Sequence, residues 1–235
     1  MKQEKIWGYF QGEGVGVFAD SARRLDYLFR RAERIAGGRT LKILDIGVGN
    51  GWLERRCLGR GWETCALDPN EEAIGRLIKE GVRGKTGYIE EIPFGDDEFD
   101  VVFCSEVLEH LSEDSLRAGL REIRRVLRAD AFIIGTVPYR EDFDVNMAVC
   151  PDCGKVFHRW GHVQVFDKAR LAEKMHAAGL KVIDMRTRSF LDISGLPLAG
   201  KARASLHLLL GRMGLTIASP CLYFLAGKRP SVTAG

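Results

Sequence analysis

Apolar positions along this chain follow two rhythms that take turns. Between residues 17 and 36, Leu25, Leu28, Phe29, Ala32 and Ile35 recur at three- and four-residue intervals, and Gly37 and Gly38 follow. That spacing predicts one buried helix face with a stop behind it. LKILDIG (41–47) is a short apolar run that ends in a glycine turn, and WETCALD (62–68), FDVVFCS (99–105), AFIIGTVP (131–138) and LKVIDMRT (180–187) repeat the form. They predict buried strands, with GKTGYIEEIPF (84–94) as a further strand and its exit loop. Helical rhythm returns in NEEAIGRLIKEG (70–81), in SLRAGLREIRRVL (115–127) with Leu116, Leu120, Ile123 and Leu127 inward, and in DKARLAEKMHAAGL (167–180). ASLHLLLGRMGL (204–215) predicts a last helix and CLYFLAGK (221–228) a last strand. Strands alternating with helices imply βαβ units, hence an α/β fold with a doubly wound, mostly parallel sheet. The alternation breaks between residues 139 and 166, where no regular period is visible; this stretch is expected to be an insertion after the fifth strand. Insertions at the carboxyl ends of parallel strands face the binding crevice.

Composition narrows the class. With 46% hydrophobic residues over 235 positions, the chain can bury a core without staples. Thirty-five basic and 32 acidic residues leave a net charge of +3, too small an excess to argue for nucleic acid. MKQEKIWGYF lacks the apolar core of a secretory signal, and the longest uncharged run, 213–227, is short for a membrane span. Six cysteines without a secretory route are expected to be reduced thiols or metal ligands, in the cytoplasm. Oligomeric state is not legible.

The chemistry concentrates first in LDIGVGNGW (44–52), where Gly47, Gly49 and Gly51 follow a strand directly. Glycines there let backbone approach a ligand closely. The spacing is G-x-G-x-G rather than that of dinucleotide folds, and Asp45 sits two residues ahead of it. A carboxylate there disfavours a pyrophosphate and favours a cation. Asp68 closes the next strand, where an acid can take both hydroxyls of a ribose. None of the five tyrosines has a lysine four residues on, which excludes the short-chain dehydrogenase arrangement.

In order, LDIGVGNGW, the strand ending at Asp68, EEIPFGDDEFDVVFCSEVLEHL (90–111) and REIRRVLRADAFIIGTVP (121–138) resemble class I S-adenosylmethionine-dependent methyltransferases of the small-molecule and quinone type (methyltransferase type 11-like). The resemblance runs from about residue 40 to 138 and more loosely to 187. It implies a seven-stranded Rossmann-like sheet with an antiparallel last strand. It implies that Asp45, Gly47, Gly49 and Gly51 hold the methionine part of S-adenosylmethionine and Asp68 its ribose. Ile89 would contact the adenine through its backbone, and Ser105 would line the sulfonium end. Two departures stand out: Tyr88 replaces the family's acid before Ile89, leaving Glu90 as the substitute, and Ala129-Asp130-Ala131 replaces a Gly-Gly turn. The expected organisation is an N-terminal helical cap (1–38), a cofactor-binding core (39–138), an acceptor-side lid (139–166) and the C-terminal part of the same domain (167–235).

The acceptor side is less sharply written. A DNA-type Pro-Pro-aromatic signature is absent after the fourth strand, and the arginines at 117, 121, 124, 125 and 128 lack interleaved aromatics, which disfavours RNA. A small-molecule or lipid- or sugar-linked acceptor is the leading reading; an RNA or protein methyltransferase and a non-catalytic cofactor-binding regulator are the alternatives. Glu106, Glu109 and His110 are spaced for one face of a helix start. His110, His158 and His162 are the candidate catalytic residues. In CPDCGKVFHRWGH (150–162), Cys150, Cys153, His158 and His162 also offer a closed tetrahedral zinc set, a structural brace. Pocket histidines without metal, or a plain loop with two free thiols, are the other readings. WGYFQGEGVGVF (7–18) is a second candidate lid, with Tyr9 or Phe10 as cover.

Overall fold

Along each central strand, successive apolar side chains go to opposite faces, and each face meets its own helices. In the computed structural model, which describes residues 11, 21–190 and 221–228, β1 (Lys42–Ile46) sends Ile43 to one layer and Leu44 and Ile46 to the other. β4 (Phe99–Ser105) divides Val101 and Phe103 from Val102 and Cys104 in the same way. The first layer packs on α1 (Ser21–Ala36) through Leu28, Phe29 and Ala32, and on α2 (Trp52–Gly59) through Leu53 and Cys57. The second packs on α4 (Glu113–Val126) through Leu116, Leu120 and Ile123, and on α5 (Lys168–Ala177) through Leu171 and Met175. Strands apolar on both faces are the mark of a sheet covered on both sides.

The sheet is completed by β2 (Glu63–Asp68), β3 (Arg83–Thr86), β5 (Leu127–Pro138), β8 (Leu180–Arg188) and β9 (Cys221–Lys228), in the order β3-β2-β1-β4-β5-β9-β8. The pairs from β3 to β5 are parallel, whereas β9 runs antiparallel to both β5 and β8. The expected seven-stranded, mostly parallel sheet is therefore present. Strand order reverses between β1 and β4, which opens a crevice at their carboxyl ends.

Short polar side chains start three of the helices. Asn70 accepts the backbone N–H groups of Glu72 and Ala73 at α3 (Glu71–Lys79), Ser112 accepts that of Ser115, and Asp167 that of Arg170.

Four local features differ from the sequence expectation. α2 carries no clear apolar period, because Glu54 takes a buried position in it. The stretch 106–110 is not a helix start: Leu108–His110 form a single 3₁₀ turn, and α4 begins at Glu113. β5 starts at Leu127, and Ala129-Asp130-Ala131 lie where its register with β4 shifts. Within 139–166, β6 (Met147–Val149) and β7 (Val156–His158) form a separate antiparallel hairpin. Three-residue strands are too short to show a period of two. The base of this insertion is closed by a bridge between Tyr139 and Phe166 and by the Arg140 N–H on the Phe166 carbonyl. The expected 204–215 helix and the Tyr9–Phe10 cover lie outside the described residues.

Candidate active site

β1 delivers Asp45 to the crevice, and the chain then turns through Gly47, Gly49 and Gly51, all with positive φ. At Gly47 the turn tolerates no side chain: an added Cβ would stand 2.6 Å from Cγ2 of Val107. Asp68, buried at the end of β2, is fixed from both sides. Its Oδ1 accepts the Asn70 N–H at 2.8 Å, and its Oδ2 accepts the Val48 N–H and the Gln11 side-chain amide, each at 3.1 Å. The Gln11 oxygen in turn accepts from the Asn70 amide at 2.7 Å, so one residue of the N-terminal segment sits over this acid.

Buried carboxyl groups are dense here. Burial, then the charge of Glu54, pushes the Asp45 carboxyl well above the usual carboxylate range. Glu54, fully buried, is raised to about 7 by the same desolvation. Burial also raises Asp68, opposed chiefly by the Asn70 N–H. Three buried acids around a glycine turn form a cradle for a cation. Beyond β3, Ile89 is buried and packs on Gly119, where a Cβ would meet its side chain at 2.9 Å. Next to it, Oε2 of Glu90 is buried without a hydrogen-bond partner, an acceptor suited to an amino group. Tyr88 is exposed. Ser105 closes β4; its hydroxyl accepts from Arg24 Nε at 3.1 Å and lies 2.9 Å from that of Thr136.

Beyond Ser105 the backbone bends through Glu106, a non-glycine residue at φ +57°, held by its N–H on the Thr136 carbonyl. Strain of this kind collects at functional sites. The 3₁₀ turn that follows carries His110 and Glu109, which is fully buried with neither carboxyl oxygen hydrogen-bonded among the described residues and Oε1 4.0 Å from His110 Nε2. Burial, then Glu106, raises Glu109. Burial, then His162, lowers His110 to about 3. The insertion is clamped onto this turn, because the N–H groups of Val163 and Gln164 both donate to the Glu109 carbonyl. His162 is thereby placed 4.7 Å from His110, ring to ring, and 4.6 Å from His158, which it stacks against. Glu141 lies against both rings of that stack: its Oε2 contacts His162 Nδ1, and its Oε1 is 3.4 Å from His158 Nε2.

The three candidate catalytic histidines, His110, His158 and His162, therefore meet, and the sequence reading missed two acids: Glu54, beside Asp45 and the glycine turn, and Glu141, which contacts His158 and His162. Only a carboxylate at a buried helical position signalled the first; nothing local signalled the second. The zinc set is corrected. Cys150 and Cys153 occupy the tip of the β6–β7 hairpin, while His158 pairs with Met147 at its base. Three residues of strand separate tip from base, about 10 Å, far outside a zinc shell of about 2.0–2.3 Å. Among the described residues, the groups close enough to hold an ion are Glu109, His110 and His162, and Glu141, His158 and His162; neither contains a cysteine. At the tip, backbone N–H groups of Cys153 and Asp152 lower the Cys150 thiol. All six cysteines are unbridged.

The methyltransferase-domain family model matches residues 18–185. The YcgJ methyltransferase of Bacillus subtilis is 29% identical over 136 residues, 55% of this chain but only 47%, about half, of that protein. Ubiquinone biosynthesis O-methyltransferase of Aeromonas salmonicida is 26% identical over 206 residues, covering 83% of this chain and 84% of its own. In fold, the chain resembles the Burkholderia thailandensis 1,6-didemethyltoxoflavin N1-methyltransferase, solved with its acceptor and S-adenosylhomocysteine. The TM-score is 0.67 at 19% identity, over 97% of this chain and 87% of that one.

Proposed function

Since the chain belongs to the class I S-adenosylmethionine-dependent methyltransferases, we propose that it methylates a small molecule, or a lipid- or sugar-linked intermediate, on oxygen, nitrogen or carbon. One observation carries the reading: three buried acids around a glycine turn, and three clustered histidines, two of them on the inserted lid. Asp45, Gly47, Gly49 and Gly51 take the methionine part, Asp68 the ribose, and Ile89 and Glu90 the adenine. Ser105 lines the sulfonium end. S-adenosylmethionine supplies an electrophilic methyl group on a sulfonium. The chain's own residues align the acceptor behind it, exclude water and take up the acceptor's proton. His110, His158 and His162 are the acceptor-side residues; zinc held by Cys150 and Cys153 together with His158 and His162 is not part of the proposal.

Of the five arginines between 117 and 128, Arg117 pairs with Asp114, Arg125 with Glu122 and Asp96, and Arg128, in β5, with Asp100, so part of that basic charge is compensated within the chain. No described helix is long and apolar enough to cross a membrane; the free thiols fit work in the cytoplasm. The test follows methyl-labelled S-adenosylmethionine, mixed with the protein and a cell extract, into fractions. Label in small molecules or lipids is the expected result. Label in RNA or protein would replace the proposal, and cofactor binding without transfer would favour the regulator.

A further inference from the structure

Two of the three histidines have their proton positions decided by what they touch. The backbone N–H of His162 donates to Nδ1 of His158 at 3.2 Å. That nitrogen must offer its lone pair, so a neutral His158 carries its hydrogen on Nε2. Nε2 of His158 lies 3.4 Å from Oε1 of Glu141, an electrostatic contact too long for a full hydrogen bond. His162 is the reverse case. Its Nδ1 meets Oε2 of Glu141 directly; an ionised carboxylate only accepts, so Nδ1 holds the hydrogen and Nε2 keeps a lone pair.

The carboxylate is itself fixed within the insertion. It follows Arg140, whose φ of +50° turns the chain, and its Oε1 accepts the Asn146 side-chain amide at 3.0 Å. One acid thus ties the start of the insertion to its end, on the two histidines that cover the 3₁₀ turn. It also belongs to one of the two residue groups that are close enough for a metal. A His158 with hydrogen on Nε2 has no nitrogen left to ligate, so Glu141, His158 and His162 do not form a metal site as arranged.

We infer that Glu141 is the positioning residue of the acceptor site: it holds His162 in the Nδ1–H tautomer so that Nε2 is the site's base, while His158 serves as a stacked prop. The inference rests on the methyltransferase reading and names the residue that takes up the proton. As an acceptor oxygen or nitrogen forms its bond to the methyl carbon, the carbon–sulfur bond breaks and its electron pair stays on sulfur. The acceptor's proton passes to Nε2 of His162 and then to water. His110 is the poorer base, because burial disfavours its charged form.

The test uses the full chain labelled with ¹⁵N-histidine, where long-range proton–nitrogen spectra distinguish the two neutral tautomers. His162 is expected as Nδ1–H and His158 as Nε2–H. In Glu141→Gln, His162 is expected to lose its Nδ1–H preference, with kcat down about 10- to 100-fold and KM for the donor unchanged. Glu141→Asp should recover part of the rate. A wild-type His162 seen as Nε2–H overturns the inference, as does a Glu141→Gln variant that loses rate without changing tautomer or changes neither. The wild-type spectrum decides the tautomer even if the variant folds poorly. Titration of the same samples with S-adenosylhomocysteine tests the cofactor reading separately: failure to bind would remove that reading and leave the tautomers standing.

Discussion

Replacing Asp68 by Asn probes the cofactor end with one changed atom. In the wild type, Oδ1 faces the Asn70 N–H at 2.8 Å, and Oδ2 faces the Val48 N–H and the Gln11 amide, both at 3.1 Å. An Asn side chain has one oxygen, so in either orientation its NH₂ points at a donor. The least disruptive choice keeps the oxygen toward Val48 and gives up the shorter bond to Asn70. A ribose diol would then meet a neutral amide instead of a carboxylate and lose at least one charge-assisted bond. Such a bond is worth about 1.5–3 kcal/mol, which is about 10- to 100-fold in Kd at 1.4 kcal/mol per tenfold. The assay is calorimetric titration with S-adenosylhomocysteine, with thermal melting as the fold control. A Kd within about threefold of wild type, in a variant that melts normally, would refute the assignment of Asp68 to the ribose.

Other residues give equally direct expectations. Gly47→Ala should weaken S-adenosylhomocysteine by more than about tenfold, because its Cβ would strike Val107 at 2.6 Å and the residue has φ +85°; unchanged affinity would contradict this. Gly135→Ala should prevent folding, since its Cβ would lie 1.8 Å from the Cys104 carbonyl oxygen at the centre of the sheet; circular dichroism of soluble variant would reveal an error. Glu54 titrates at about 7 when folded against 4.5 ordinarily. The folded state therefore binds the extra proton, and stability from this group is full below about pH 4.5 and lost as pH rises through about 7, up to about 3 kcal/mol. Glu54→Gln should accordingly melt several degrees above wild type at pH 8 and no higher than wild type at pH 4; a pH-independent difference would show that the acid is not the cause. Finally, Cys150→Ser with Cys153→Ser should leave the spectra of His158 and His162 unchanged, since hairpin tip and base do not share ligands.

Periodicity along the chain was enough for the sheet. Strands such as LKILDIG and FDVVFCS are apolar on both faces, and only a sheet covered twice buries such runs, so their order with the intervening helices implied the doubly wound fold. Where the glycine turn and Asp68 lie was legible for a related reason. Gly47 to Gly51 and Asp68 sit at strand ends, where the fold itself carries them to the crevice, and local backbone demands restrict which residues serve. α2 stayed hidden because one buried position holds Glu54, a polar residue that breaks the apolar period. At the acceptor end, spacing misled: thirteen residues with two cysteines and two histidines read as one metal set, but a hairpin turns between them and points the pairs apart. Glu141 had no signature at all, because its partners His158 and His162 lie 17 and 21 residues away along the chain and are brought to it only when the insertion closes at Tyr139 and Phe166. A sequence records which side chains can alternate, turn or bind nearby; contacts between distant segments exist only once the chain has folded, and the cluster of Glu141, His158 and His162 is made of those.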